Sequence, residues 1–493
     1  MRRLTDLRFR NSYSRLSTSF HIKVQPTSLR EPYLVNFNSE AARLIDLDPE
    51  EVKNPDFIFY FSGRKLLPGS EPVSMVYAGH QFGTYVPQLG DGRAILLGEV
   101  RNSRGESWDL HLKGSGKTPY SRMGDGRAVL RSTIREYLCS EAMHALSIPT
   151  TRALCIVGSN EPVYREVVES AAMMLRLSPS HVRFGSFELF YYRSQYEQIK
   201  ILADYIIGKH FSHLSGRRDR FIQFLVEVTR STARLIAKWQ AVGFAHGVMN
   251  TDNMSILGIT IDYGPFGFID DFDPDFVPNH SDHMGRYSYS NQPDIGAWNV
   301  GCLAQTFLSL VPQLAIREAI AEYAPAFAEH YGELMRAKLG LEQSHPEDTS
   351  LIGQLLSILY KNQVDYTNFF RRLCDFKLTL DESPGTKNQH LRDMFVDWKD
   401  FDQWAINYRN RLMKELSVDA ERKARMVLVN PKYILRNYLA QKAINLAVEQ
   451  KDFSEIDRLL SLLRAPFDEQ PEMQHYSVPT PEWGKRLVVS CSS

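Results

Sequence analysis

One stretch, residues 246–264, constrains this chain more than any other: His-Gly-Val-Met-Asn-Thr-Asp-Asn-Met-Ser-Ile-Leu-Gly-Ile-Thr-Ile-Asp-Tyr-Gly. It opens on His246, places Asp252 and Asn253 side by side, and closes on Asp262-Tyr263-Gly264 after a short apolar run. Carboxylate and amide oxygens are the ligands a hard divalent cation takes on phosphates. Asn, Asp and Gly are equally the residues that make turns. A polar loop between a helix and a hairpin therefore explains the stretch as well as a metal-nucleotide loop does, and the rest of the chain has to decide.

The catalytic loop of a protein kinase reads His-Arg-Asp-Leu-x-x-x-Asn and leads through a strand to Asp-Phe-Gly, the Asn and the second Asp holding metal. His246, Asn253 and Asp262 keep that spacing. The position of the kinase base is Val248, which cannot take a proton, and Asp252 is the nearest carboxylate. Such a loop suits metal and nucleotide without kinase chemistry in its usual form.

Other kinase parts follow in kinase order. Residues 85–89 predict an extended run, Gly90-Asp91-Gly92-Arg93 a hairpin turn, and Ala94-Ile95-Leu96-Leu97 a strong strand. After Asn102-Ser103-Arg104-Gly105, residues 108–113 predict a third strand ending on Lys113. Gly90 and Gly92 let backbone N–H groups approach phosphate, with Arg93 adding charge; the plain alternative is a glycine hairpin with a surface lysine. Gly116-Lys117-Thr118 is not a Walker loop, because His111 stands where its leading glycine belongs.

Gly124-Asp125-Gly126 precedes a helix expected over 127–146, with Leu130, Ile134, Leu138 and Ala142 on its apolar stripe and Glu136 off it. In a kinase an acidic residue here holds the strand lysine. Glu136 answers that need for Lys113, or is one more solvated charge beside Arg131, Arg135 and Glu141. Residues 151–177 read as two strands broken by Gly158-Ser159-Asn160-Glu161-Pro162. Arg176 lies in the apolar run of the second and Arg183 follows it. The two arginines either point to solvent or share an anion, since a lone buried guanidinium is very costly.

A long amphipathic helix over 221–239 leads directly into His246. Beyond Gly264, Asp270-Asp271-Phe272-Asp273 and Asn279-His280-Ser281-Asp282-His283 read as a solvated loop rather than a metal site. His80 reads as a structural histidine. From Trp298 onward the pattern is almost wholly helical, closing with Tyr433-Ile434-Leu435-Arg436-Asn437-Tyr438-Leu439 and Leu459-Leu460-Ser461-Leu462-Leu463.

With 58 basic and 58 acidic residues the net charge is +0, which argues against nucleic acid held by bulk charge. No apolar run approaches the 18 or so residues of a membrane span. Five cysteines at 139, 155, 302, 374 and 491, without a close pair, predict neither a disulfide scaffold nor zinc and fit a reducing compartment. The Arg- and Ser-rich N-terminus is similar to a mitochondrial transit peptide, but Leu7, Phe9, Leu16 and Phe20 continue into globular sequence.

The combination of residues 77–83, 90–93, 113–136, 246–267, 285–293 and 430–441 resembles the selenoprotein O family of kinase-like protein adenylyltransferases. The resemblance spans most of the chain. It implies an α+β, protein-kinase-like two-lobed fold: an N-terminal extension (1–75), a β-rich nucleotide-binding small lobe (76–200), and a mainly helical large lobe (201–493) with the catalytic loop at 246–264. It implies ATP bound in reverse, AMP passing to Ser, Thr or Tyr hydroxyls of proteins, and UMP from UTP as a further option. ATP contacts are implied for Gly90, Gly92, Arg93, Lys113, Asp125, Gly126, Arg176, Arg183 and Asp262. Glu136 would pair Lys113, Asn253 and Asp262 would hold Mg²⁺ or Mn²⁺, and Asp252 would accept the proton. Some relatives carry selenocysteine where this chain has Cys491, and a cysteine where it has Pro278, so no regulatory disulfide of that kind is predicted. A bacterial-type cytoplasmic enzyme is expected, with a mitochondrial one as the alternative. A phosphotransferase using Asp252 and a nucleotide-binding scaffold are the competing functions.

Overall fold

A computed structural model describes residues 1–378 and 388–490; Cys491 lies outside the described residues. The N-terminal half is built on an antiparallel sheet of β1 (His21–Lys23), β2 (Tyr33–Phe37), β3 (Val73–Met75), β6 (Ala94–Arg101), β7 (Ser107–Lys113), β8 (Ala128–Val129), β9 (Arg152–Tyr164) and β10 (Val168–Ser178). Its order is β1-β3-β6-β7-β10-β9-β2, with β8 pairing β10. Both edge strands thus come from the first forty residues. β4 (Gly79–Gln81) and β5 (Thr84–Val86) form a separate hairpin.

The strands are apolar on both faces because both are covered. On one face Ile95, Leu97, Leu110, Leu112, Leu175 and Leu177 pack with Leu4, Leu7, Ala41, Phe57 and Phe61 of the N-terminal segment. On the other, Leu96 and Met174 pack with Ile134 and Leu138 of helix Leu130–Ala145. Strands buried on both sides read as continuous apolar runs rather than alternations.

Two expectations for this sheet need correction. The predicted hairpin across Gly90 does not form: β5 pairs β4, and β6 takes β3 and β7 as neighbours. With that edge of β6 occupied, residues 89–91 fold back instead, the Leu89 N–H bonding Tyr77 C=O and the Asp91 N–H bonding Met75 C=O. Nor do residues 158–162 break a strand. β9 runs through them to Tyr164, pairing Gly158 and Pro162 with β10 across a bulge, and the turn comes at 165–167.

Helix Arg220–Val242 ends on Gly243, whose φ of 74° is the left-handed cap geometry. The chain then enters β11 (Phe244–Ala245), which pairs β12 (Gly267–Phe268) and closes the base of the 246–264 loop. Helices Tyr323–Lys338, Asp348–Lys361, Tyr366–Leu373 and Trp398–Lys414 surround a second core containing Leu355, Phe369, Phe370, Trp404 and Tyr408. Helices Asn437–Asn445 and Ser454–Arg464 return to pack against Leu130–Ala145. Residues 433–436, expected helical, precede the first of these as irregular chain.

The acidic run after the loop is not merely solvated. Asp270 pairs with Arg436 and Thr480, and Asp271 with Lys485, so it fastens the C-terminal segment. No helix among the described residues is long and apolar enough to cross a membrane.

Candidate active site

β-Strand alternation aims three polar groups at one place. Lys113 and His111 lie two residues apart on β7 and so on one face, and Arg176 of β10 stands opposite His111 in the register. Helix Leu130–Ala145 crosses that face and brings Glu136, 1% exposed, to the pair. Glu136 takes Lys113 on Oε2 and Arg176 on Oε1 (3.0 Å). The loop closed by β11 and β12 supplies Asp262, whose Oδ1 takes Lys113 (3.0 Å) and Arg176 (2.6 Å). Burial alone would raise the Asp262 pKa. Lys113, Arg176 and Arg183 outweigh it and hold the carboxyl well below its ordinary range.

Arg176 also donates to His111 Nδ1 at 2.9 Å, and His111 Nε2 meets Asp91 Oδ2 at 3.2 Å. Burial pushes the His111 pKa down to about 4, so the ring is neutral, accepting at Nδ1 and donating at Nε2. Arg183 lies over the Tyr77 ring at 4.7 Å and donates from Nη1 to the Asp252 carbonyl at 2.8 Å. Both arginines are buried, which rules out solvent-facing positions for them, as it does for Glu136.

These residues surround a cleft of about 520 Å³. Gly90, Gly92, Arg93, Lys113, Asp125, Gly126, Arg176, Arg183, Asp252, Asn253 and Asp262 all line it, with Glu136 directly behind Lys113. Gly90 has φ 117°, and a Cβ there would stand 2.6 Å from the Tyr120 ring. Gly126 has φ 72° and lies against the Gly116 carbonyl, where a Cβ would come within 2.1 Å. Only glycine lets these two turns close over the cleft.

Val248 lines the cleft too, and confirms that no carboxylate occupies the kinase base position. Asp252 is pressed against the β4–β5 hairpin. Its Oδ2 accepts from Gln81 Nε2 at 3.2 Å, while its buried Oδ1 has no hydrogen-bond partner among the described residues. Burial raises the Asp252 pKa to about 6, against the opposing pull of Arg183 and Gln81. Asn253 Nδ2 donates to the Val248 carbonyl at 3.0 Å, leaving its amide oxygen as a ligand. That oxygen and the ionised Asp262, whose two cations both sit on Oδ1, make an all-oxygen set that fits a hard divalent ion.

Several contributors escape sequence reasoning. Asp91, between the two glycines, looks like a turn residue, yet it is buried and meets His111 and Tyr77. Arg165, from the β9–β10 turn, clamps Asp125 with two bonds of 2.8 and 2.9 Å. No sequence signal marks either residue. His80 is hydrogen-bonded, its Nδ1 meeting Glu188 Oε2 at 3.1 Å.

A family model described as Protein adenylyltransferase SelO matches residues 3–464. Similar curated proteins include the Protein nucleotidyltransferase YdiU of Myxococcus xanthus, 56% identical over 493 residues and covering 100% of both chains. Those of Thiobacillus denitrificans and Pseudomonas fluorescens strain Pf0-1 are 55% and 52% identical over 494 residues, again with 100% of each chain covered.

Proposed function

The chain belongs to the SelO family of protein adenylyltransferases and is a protein nucleotidyltransferase, and from that premise we propose how its cleft transfers AMP from ATP to Ser, Thr or Tyr hydroxyls of proteins. The observation that carries the reading is the presence of three nearly solvent-free cations, Lys113, Arg176 and Arg183, on the wall of one cleft. Glu136 and Asp262 offset part of this charge, and a divalent ion on Asp262 would restore the excess that suits the β- and γ-phosphates, which carry more negative charge than the α-phosphate does. ATP therefore binds with its terminal phosphates against them, reversed relative to a kinase, and the α-phosphate faces Asp252.

The acceptor hydroxyl attacks the α-phosphorus. An oxygen–phosphorus bond forms, the bond from the α-phosphorus to the bridging oxygen breaks, and pyrophosphate leaves. The proton passes to the carboxylate of Asp252, which lines the cleft and whose raised pKa makes it a competent base near neutrality. Lys113, Arg176 and Arg183 stabilise the charge gathering on pyrophosphate, and Glu136 holds Lys113 and Arg176 in place. Gly90, Gly92, Arg93, Asp125 and Gly126 seat the rest of the nucleotide. Asn253 and Asp262 would hold Mg²⁺ or Mn²⁺, which when bound supplies neutralisation of phosphate charge. UTP is a second donor in the same seat.

We propose further that the chain divides into a 1–75 extension, a 76–200 small lobe and a 201–493 large lobe. A reducing, cytoplasmic setting suits its sparse cysteines, of which Cys139, Cys155, Cys302 and Cys374 are free.

The test follows label into protein from ATP marked at the α- or the γ-phosphate, with Asp262→Ala as the blank. Label from α alone, lost in the variant, is expected. Label from γ would overturn the reversed nucleotide.

A further inference from the structure

Beside the catalytic loop, His80 of β4, Glu188 of helix Phe184–Tyr192 and Cys302 of helix Gln292–Gln305 meet. One ligand atom from each lies within 4.8 Å of the other two. The imidazole Nδ1 and Glu188 Oε2 are 3.1 Å apart. Two ligands of a tetrahedral zinc, at about 2.0–2.3 Å from the ion, stand roughly 3.3–3.7 Å from each other, so modest side-chain movement brings all three onto one centre. Glu188 is fully buried, and its other oxygen, Oε1, has no hydrogen-bond partner among the described residues. A buried carboxylate oxygen left bare is costly unless something positive completes it.

We infer that His80, Glu188 and Cys302 form a metal site for a borderline-soft divalent transition ion of the zinc class, separate from the oxygen-only set of Asn253 and Asp262. Nitrogen, thiolate and carboxylate together select such an ion, whereas Mg²⁺ keeps to oxygen. Burial, with Glu188 alongside, pushes the Cys302 thiol up to about 12, so without metal the sulfur is a thiol, and the ion binds by displacing its proton to solvent.

The site would act on the catalytic loop through Thr251. That hydroxyl donates to Glu188 Oε2 at 3.0 Å and accepts the His80 backbone N–H at 2.7 Å. Thr251 is the residue before Asp252. An ion here ties the β4–β5 hairpin and two helices to the segment that carries the proton acceptor.

The test is titration of the metal-stripped full chain with Co²⁺, read by near-ultraviolet thiolate-to-cobalt absorption. One equivalent with that band is expected, displaced by Zn²⁺, lost in Cys302→Ala and His80→Ala, and weakened at least tenfold in affinity in Glu188→Gln. Absence of the band in the wild-type chain, or its survival in Cys302→Ala, overturns the site. Because the variants alter a packed region, X-ray absorption of the zinc-loaded wild-type chain gives an independent reading. One sulfur bound to zinc supports the site, and an all-oxygen and nitrogen environment sinks it.

Discussion

Asp252 is held in a state the fold does not favour. An unfolded aspartate titrates near ~3.9, and this one near 6 in the folded chain. Stability is therefore lost as pH rises from the first value through the second, and the loss persists above it. Replacing Asp252 by Asn removes the ionised form, and the expected outcome is a gain of about 3 kcal/mol at pH 7.5 by urea denaturation. Transfer activity in the same variant should fall about 10²- to 10⁴-fold. In the wild-type enzyme the rate should rise with pH through about 6, as the carboxyl loses its proton. A flat profile across that range would remove Asp252 from the role. Asp252 was legible in sequence as the carboxylate nearest an empty base position. Its bare Oδ1 was not, because Gln81, which satisfies the other oxygen, lies 171 positions away.

The β4–β5 hairpin and helix Leu130–Ala145 set how such residues behave. Gln81 of the hairpin lowers the Asp252 pKa by its hydrogen bond, so Gln81→Leu should move the acid limb of the rate profile to higher pH. Helix Leu130–Ala145 carries Glu136, the carboxylate that holds the two cations Lys113 and Arg176. Glu136→Ala leaves Lys113 and Arg176 buried with one carboxylate fewer, and a loss of about 3–5 kcal/mol is expected in urea denaturation. The nucleotide KM should rise in the same variant. This helix also shows where reading by period fails. Its apolar stripe was visible, yet Glu136, Arg135 and Glu141 off the stripe are buried as well. The sheet covers one side and the returning helix Ser454–Arg464 another, so polarity marked buried ion pairs at Glu136 and Glu141 and buried hydrogen bonds at Arg135, and not exposure. The missed β3–β6 pairing has a similar cause: Gly90-Asp91-Gly92 has the chemistry of a hairpin turn, but a strand from earlier in the chain occupies the edge it would have used.

At the level of the whole molecule, the C-terminal segment is held to the catalytic half by buried charge. Arg436, 2% exposed, binds Asp270 beyond the catalytic loop and Asp365 of the second core. Arg436→Ala should cost about 3–5 kcal/mol, seen as a lowered urea midpoint, and should loosen the 270–290 segment in hydrogen exchange before the sheet. That a sheet-rich part precedes a mainly helical one was legible, because strand patterns fill the first part of the sequence and helical patterns the second. The closure of the chain upon itself was not, since it depends on pairs such as Asn36 with Asp457, 421 positions apart. That same span sets a schedule for synthesis. Chains emerge N-terminus first, at about 5–20 residues per second, so β2 waits roughly 6–25 s for β9 and its Asn36 roughly 20–80 s for Asp457. During that interval an apolar strand edge stands unpaired at the ribosome, and the yield of folded chain is expected to depend on translation speed.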